Sequence, residues 1–199
     1  MTSRQSGAMK ARPESLSAEN SSGSERLPVA RTVCLVGFMG AGKSSVGRAL
    51  AGRFGCGFVD LDDRIEAREE RSIAEIFRQS GEAEFRRAEH AALRDLLSEL
   101  GSSTSVIALG GGAFVQADNA RLLQQACIPS VFLDAPVEEL FRRCQEQQLD
   151  RPLRRDPEQF RKLHEARWAG YMAAALRVET SGKDVETVAA EVANRLKSR

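Results

Sequence analysis

The sequence predicts an α/β domain in which a five-stranded parallel sheet lies between helices. Three observations lead there. Short apolar runs of strand length alternate with stretches of helical periodicity from Thr32 onward. Dense glycine follows the first and third of those runs, where strands hand over to turns. The 199 residues, 42% hydrophobic and 29% charged, suffice for one globular domain with a sizeable core.

The elements follow in order. "TVCLVG" is an apolar run suited to a buried strand, and "KSSVGRALAGRF" places Val46, Leu50 and Phe54 on one helical face. "GFVDLD" reads as a second strand. In it, alternation would aim Asp60 and Asp62 the same way, with Asp63 capping the helix that follows. "SIAEIFRQSG" opens with Ser72 and Glu75 at capping-box spacing and stops at Gly81. "EAEFRRAEHAALRDLLSEL" is a long amphipathic helix ended by Gly101. "SVIALGGG" is a strand, "NARLLQQA" a helix, "SVFLDA" a strand, "VEELFRRCQEQ" a helix, "LRVET" the last strand and "DVETVAAEVANRL" the closing helix. Alternation of this kind puts ligands at the carboxyl ends of the strands.

Two segments break the pattern. Residues 1–27 are rich in Ser, Gly and charge and lack aromatics, so they are expected to form a disordered tail before a domain spanning 28–199. The stretch "QEQQLDRPLRRDPEQF", about 145–160, carries two prolines, clustered charge and no apolar periodicity. It is either a surface connection or a mobile lid.

Composition excludes some classes. A net charge of +1 gives no overall field for nucleic acid, and no basic–aromatic interleaving is present. No apolar run approaches the roughly 20 residues of a membrane span, and the N-terminus lacks the apolar core of a secretory signal. Cys34, Cys56, Cys127 and Cys144 form no CxxC pair, and with two histidines they make no zinc pattern, so reduced thiols in a cytoplasmic protein are expected. His90 and His164 read as surface or helix residues, Trp168 and Tyr171 as packing residues.

The sharpest signal runs from Gly37 to Ser44, "GFMGAGKS", which fits GxxxxGK[ST] between a strand and a helix. Glycines let successive backbone N–H groups turn inward around a phosphate, and the helix adds the positive end of its dipole. Lys43 then reaches the β- and γ-phosphates and the Ser44 hydroxyl ligates Mg²⁺. Other residues are more ambiguous. Asp60 and Asp62 suit metal water and a substrate hydroxyl, or a solvated turn. Glu82, Arg86 and Glu89 share a helical face, so they frame an arginine fork for a carboxylate or a salt-bridged surface. Gly110, Gly111 and Gly112 let a ligand lie against bare backbone, or simply turn. Arg151, with Arg154 and Arg155, lies on the lid stretch, where an arginine would suit developing phosphoryl charge.

Together these stretches resemble the shikimate kinase family from about Thr32 to the C-terminus. "GFMGAGKSS" resembles its P-loop and "FVDLD" its paired aspartates. "SIAEIFRQSGEAEFRRAE", "ALGGGA", "DRPL" and "ARWAGY" are similar to further family motifs and occur in the family's order. The resemblance implies a P-loop kinase fold with a mobile lid, and transfer of the γ-phosphoryl of MgATP to the 3-hydroxyl of shikimate. It implies that Gly40, Ala41, Gly42, Lys43, Ser44 and Ser45 cradle ATP, with Ser44 and Asp60 serving Mg²⁺. Asp62 would hold the ring hydroxyls. Arg86 and Arg167 would clamp the carboxylate beside Gly110, Gly111 and Gly112. Arg151 would reach the phosphates from the lid, and Arg143 and Lys183 would lie near adenine. Lys43, Asp62 and Arg151 would be the catalytic set, in a cytoplasmic monomer without nucleic-acid or membrane partners. Ser45 stands where the family commonly has threonine, and Arg167-Trp168-Ala169-Gly170-Tyr171 lacks a usual proline. Two other readings stay open: a gluconate-type sugar-acid kinase and a non-catalytic nucleotide-binding regulator.

Overall fold

The computed structural model describes residues 32–146 and 156–198. Five parallel strands stand in the order β2-β3-β1-β4-β5: β1 (Val33–Val36), β2 (Gly57–Asp60), β3 (Ser105–Ala108), β4 (Ser130–Asp134) and β5 (Leu176–Glu179). β1 is central, with Leu35 opposite Ala108 on one side and Val131 on the other. Its four residues are all buried, which explains why it reads as an unbroken apolar run. The chain first builds β2 and β3 to one side of β1, then β4 and β5 to the other. The order therefore reverses around β1, and a crevice opens at its carboxyl end.

Helix α1 (Lys43–Phe54) packs on α7 (Val185–Lys197), α2 (Leu61–Glu69) on α3 (Ile73–Leu100), and α5 (Val137–Glu146) on α6 (Pro157–Tyr171). α4 (Ala117–Gln125) lies against α3. Leu35, Leu50, Leu93, Ile107, Phe132 and Phe160 have no more than 1% of their surface exposed. Each contributes roughly 1.5–3 kcal/mol relative to exposure.

The turn chemistry matches the sequence reading at several points. Ser72 and Glu75 close a full capping box, and Gly81 breaks α3 with φ 76. Gly55 ends α1 in the left-handed region, its N–H reaching the Ala51 and Gly52 carbonyls.

Two expectations need correction. β2 stops at Asp60, not at Asp62. Asp60, not Asp63, caps α2, because its carboxylate accepts the Asp62 N–H at 3.1 Å. Asp62 therefore stands in the first turn of a helix, and strand alternation does not govern where it points. The expected lid, 145–160, is helical at both described ends. Gln145 and Glu146 finish α5, and Pro157–Phe160 open α6 behind an Asp156 cap that accepts from Glu158 and Gln159. Phe160 is sealed in the core against Phe38, ring centroids 4.9 Å apart, so the end of that stretch is a packing element. Residues 147–155 and the expected tail, 1–27, lie outside the described residues. His164, expected at a surface or on a helix, is helical but only 9% exposed, edge-on to Phe38. No disulfide joins any of the four cysteines.

Candidate active site

The loop after β1 is shaped by glycine. Gly37 and Gly40 have φ 143 and 80, a region side chains avoid, and their backs are also closed. A Cβ on Gly37 would fall 2.5 Å from the Leu133 carbonyl oxygen, and one on Gly40 2.6 Å from that of Leu140. The loop therefore sits hard against β4 and α5 and turns its other face to the crevice. Ala41 is buried beneath it, and Ser45 is exposed on α1. Gly42 precedes α1 without any side-chain cap, and no acidic residue stands in the first turn. The helix thus presents its amino end, undamped, to an anion.

Lys43 opens α1. Its ammonium donates to the carbonyls of Gly37 and Phe38, both at 3.0 Å, and so lies folded over the loop. Ser44 donates its hydroxyl to Asp60 Oδ2 at 2.6 Å, which joins the P-loop to the carboxyl end of β2. Hard oxygen donors of this kind suit Mg²⁺, which keeps several waters and takes one or two protein ligands plus phosphate. Among the described residues no cluster of three His, Cys, Asp or Glu could hold a metal by itself.

The glycine run after β3 forms the opposite wall. A Cβ on Gly110 would lie 2.6 Å from Asp62 Oδ1 and 3.3 Å from Glu89 Oε1. One on Gly112 would lie 2.7 Å from both terminal nitrogens of Arg86. One on Gly111 would meet Arg167 Nη1 at 3.5 Å and the Gly37 carbonyl oxygen at 3.7 Å. Two guanidinium groups and two carboxylates therefore converge on bare backbone directly beside the P-loop. Arg86, predicted on the face shared by Glu82 and Glu89, binds both: Nη1 to Glu89 at 2.8 Å and Nη2 to Glu82 at 3.0 Å. Glu89 is 1% exposed, and its Oε1 has no hydrogen-bond partner. Burial pushes its carboxyl above the ordinary value, against the pull of Arg86. The Arg167 guanidinium lies over the Phe38 ring, 5.8 Å from its centroid.

Arg143 and Lys183 meet elsewhere, at the loop after β5. Arg143 donates to the Thr180 hydroxyl at 3.0 Å and carbonyl at 2.9 Å and pairs with Glu139 at 2.6 Å. The Lys183 ammonium is engaged by Glu191 at 2.7 Å and the Glu179 carbonyl at 2.8 Å. Arg151 lies outside the described residues.

One residue escaped the sequence reading. Tyr171 packs as expected, stacked on Phe132 at 5.1 Å, but its hydroxyl also donates to the Gly111 carbonyl. Its i, i+4 spacing from Arg167 was the available signal, since both side chains share one face of α6.

A family model described as shikimate kinase matches residues 39–197. The shikimate kinase of Geobacter metallireducens is 44% identical over 172 residues, covering 85% of this chain and 93% of that one. That of Persephonella marina is 36% identical over 168 residues, covering 84% and 99%. The solved shikimate kinase of Acinetobacter baumannii in complex with shikimate superposes with a TM-score of 0.75 at 32% identity, over 85% of this chain and 94% of that one. A gluconokinase from Sinorhizobium meliloti superposes at 0.56 with 16% identity, covering 85% and 93%, a likeness of fold alone. Sequence and fold agree, and the chain belongs to the shikimate kinase family.

Proposed function

We propose that the chain transfers the γ-phosphoryl group of ATP to the 3-hydroxyl of shikimate, giving ADP and shikimate 3-phosphate. The observation that carries this reading is the convergence of Arg86, Arg167 and Asp62 on Gly110–Gly112, one wall away from Lys43. The family membership and the likeness to a shikimate-bound relative support the same acceptor.

On this reading the amides of Gly40–Ser45 and the open end of α1 hold the triphosphate. Lys43 exchanges the Gly37 and Phe38 carbonyls for phosphate oxygens. Mg²⁺, held by Ser44 and through water by Asp60, would neutralise charge between the β- and γ-phosphates. Arg86 and Arg167 grip the acceptor's carboxylate, beside the Gly111 and Gly112 backbone. Asp62 orients the acceptor hydroxyl. It need not be a strong base, because positioning and charge neutralisation dominate a loose phosphoryl transfer. Arg143 and Lys183 border the adenine. Arg151 supplies a further charge to the phosphates from the lid. The reading also takes the enzyme as a cytoplasmic monomer. No helix among the described residues is long and apolar enough to cross a membrane.

The test is ADP release from MgATP with shikimate, with gluconate and with no acceptor. Release that requires shikimate is expected. Equal release with gluconate would overturn the acceptor assignment. Nucleotide binding without acceptor-dependent release would make the protein a regulator instead.

A further inference from the structure

Gly170 lies inside α6, where glycine is unfavourable relative to alanine. Its φ lies outside the left-handed region, so the backbone does not require it. The need is for space. A Cβ there would fall 2.5 Å from Val115 Cγ1, 3.0 Å from Val115 Cβ and 3.5 Å from Val115 Cα. Rotation about χ1 would move the Cγ atoms but leave Cβ in place, so the valine cannot step aside. Gly52 in α1 is the contrast, since a Cβ there meets nothing within 4 Å.

The surface that α6 presses against is fixed. Val115 belongs to the turn that follows the glycine run. There Ala113 donates its N–H to the Gly110 carbonyl at 3.0 Å, and Gln116 donates to the Ala113 carbonyl at 3.2 Å. The Asn119 side chain, which is buried, also donates to the Ala113 carbonyl, at 3.0 Å. His90 Nδ1 meets the Asn119 Oδ1 at 2.9 Å. A larger residue at 170 would therefore displace α6 rather than the turn.

The neighbouring residue makes the polar half of the contact. The Tyr171 hydroxyl donates to the Gly111 carbonyl and is itself hydrogen-bonded by Arg167. Arg167 Nη1 would stand 3.5 Å from a Cβ on Gly111. Consecutive residues of α6 thus meet the two ends of one segment, 111–115, and Arg167 stands one turn before them on the same helix.

We infer that Gly170 and Tyr171 are positioning residues of the acceptor site: the missing side chain lets α6 come close, and the phenol then locks Arg167 to the Gly111 backbone. The inference rests on the proposed acceptor reading, in which Arg167 grips the carboxylate. On that reading neither residue needs to touch the acceptor, and both act through Arg167 and Gly111.

The experiment measures ADP release and Trp168 emission in Gly170→Ala, Val115→Ala, the double variant and Tyr171→Phe. Non-bonded carbons settle near about 3.5 Å, so the methyl of Gly170→Ala should move α6 by about 1 Å. The expected fall in kcat/KM for shikimate is about 10- to 100-fold, with the KM for ATP within about twofold of wild type. Val115→Ala removes the 2.5 Å contact and keeps only the milder ones, so the double variant should recover to within about threefold of Val115→Ala alone. Tyr171→Phe should raise the KM for shikimate by about 5- to 10-fold and leave that for ATP unchanged. Trp168 is the only tryptophan and adjoins Arg167 on α6, so it reports the place of the helix without turnover. Its emission should shift in Gly170→Ala and return in the double variant. Wild-type shikimate kinetics in Gly170→Ala, an equal loss toward ATP and shikimate, or a double variant no better than Gly170→Ala would overturn the inference. If Gly170→Ala does not fold, Tyr171→Phe decides, and an unchanged KM for shikimate there overturns it. Wild type that releases no ADP with shikimate overturns the acceptor reading instead, and the emission of the packing variants then decides whether Gly170 places α6.

Discussion

Replacing Gly112 with alanine tests the acceptor pocket most directly. The φ of Gly112 lies outside the left-handed region, so alanine adds no backbone strain there. Its only consequence is a methyl group 2.7 Å from both terminal nitrogens of Arg86 and 3.0 Å from Cζ. Non-bonded contacts settle near about 3.5 Å, so the guanidinium must withdraw by about 0.8 Å. It cannot do so freely, because Glu89 holds it at 2.8 Å and Glu82 at 3.0 Å. If Arg86 holds the acceptor carboxylate as proposed, a fork displaced that far would lose at least one charge-assisted hydrogen bond to it, worth about 1.5–3 kcal/mol. The expected fall in kcat/KM for shikimate is therefore about 10- to 150-fold. The KM for ATP should stay within about twofold, since the uniform grip on the nucleotide is untouched. Gly110→Ala should behave alike, as its methyl would meet Asp62 Oδ1 at 2.6 Å. The assay is ADP release with each substrate varied at saturation of the other. Wild-type shikimate kinetics in Gly112→Ala, or a defect confined to ATP, would refute the placement of the carboxylate at Arg86.

Three further outcomes follow from the same geometry. Lys43→Ala should cut kcat by about 10²–10³-fold in the same assay while the circular dichroism spectrum is unchanged. The chain has one tyrosine, and burial pushes the Tyr171 phenol up to about 12 despite the nearby Arg167 and Arg86 charges, so its phenolate absorbance should appear about two pH units later than in the denatured chain. Because the folded value is the higher one, stability should fall across that window by about 2–3 kcal/mol, and Tyr171→Phe should remove that slope from the alkaline unfolding profile. Gly52→Ala, at an exposed position in α1 where a Cβ meets nothing within 4 Å, should raise stability by about 1 kcal/mol, or Tm by about 2–4 °C in a thermal melt.

What was legible in the sequence is what local chemistry decides. The P-loop, the Ser72–Glu75 box and the Arg86–Glu89 frame each depend on residues within a few positions of one another, and all three form as read. Strand alternation was the expected reason for Asp60 and Asp62 to act together, and it does not hold, because Asp62 is already helical. Asp60 ends its strand to cap a helix, a competition between alternation and capping that spacing alone does not settle. The bond from Tyr171 to Gly111 spans 60 positions, and the pairing of Arg177 with Asp134 spans 43. Contacts of that length depend on how α6 and β5 pack, which periodicity does not report. His164, read as a surface or helix residue, is on a helix, and its enclosure by Phe38, far away in sequence, is what periodicity does not report.

The two carboxylates bound to Arg86 should respond differently to the acceptor. Glu82 has 66% of its side chain exposed and Glu89 only 1%. An exposed ion pair is worth about 0–1 kcal/mol, so a ligand carboxylate displaces Glu82 at little cost. Glu89 has no such freedom, because breaking its pair strands a buried charge, and a stranded charge costs about 3–5 kcal/mol. On the proposed placement the acceptor would take over the Nη2 and Nε donors now given to Glu82, while Nη1 would stay with Glu89 and fix the plane of the fork. Glu82→Gln should leave the KM for shikimate within about twofold of wild type, since it removes only a competitor. Glu89→Gln removes the anchor, and it should raise that KM by about tenfold or more with the KM for ATP unchanged. Both are read by ADP release at saturating ATP. A large rise in KM for Glu82→Gln with little change for Glu89→Gln would reverse the assignment and place the exposed residue, not the buried one, in control of the fork.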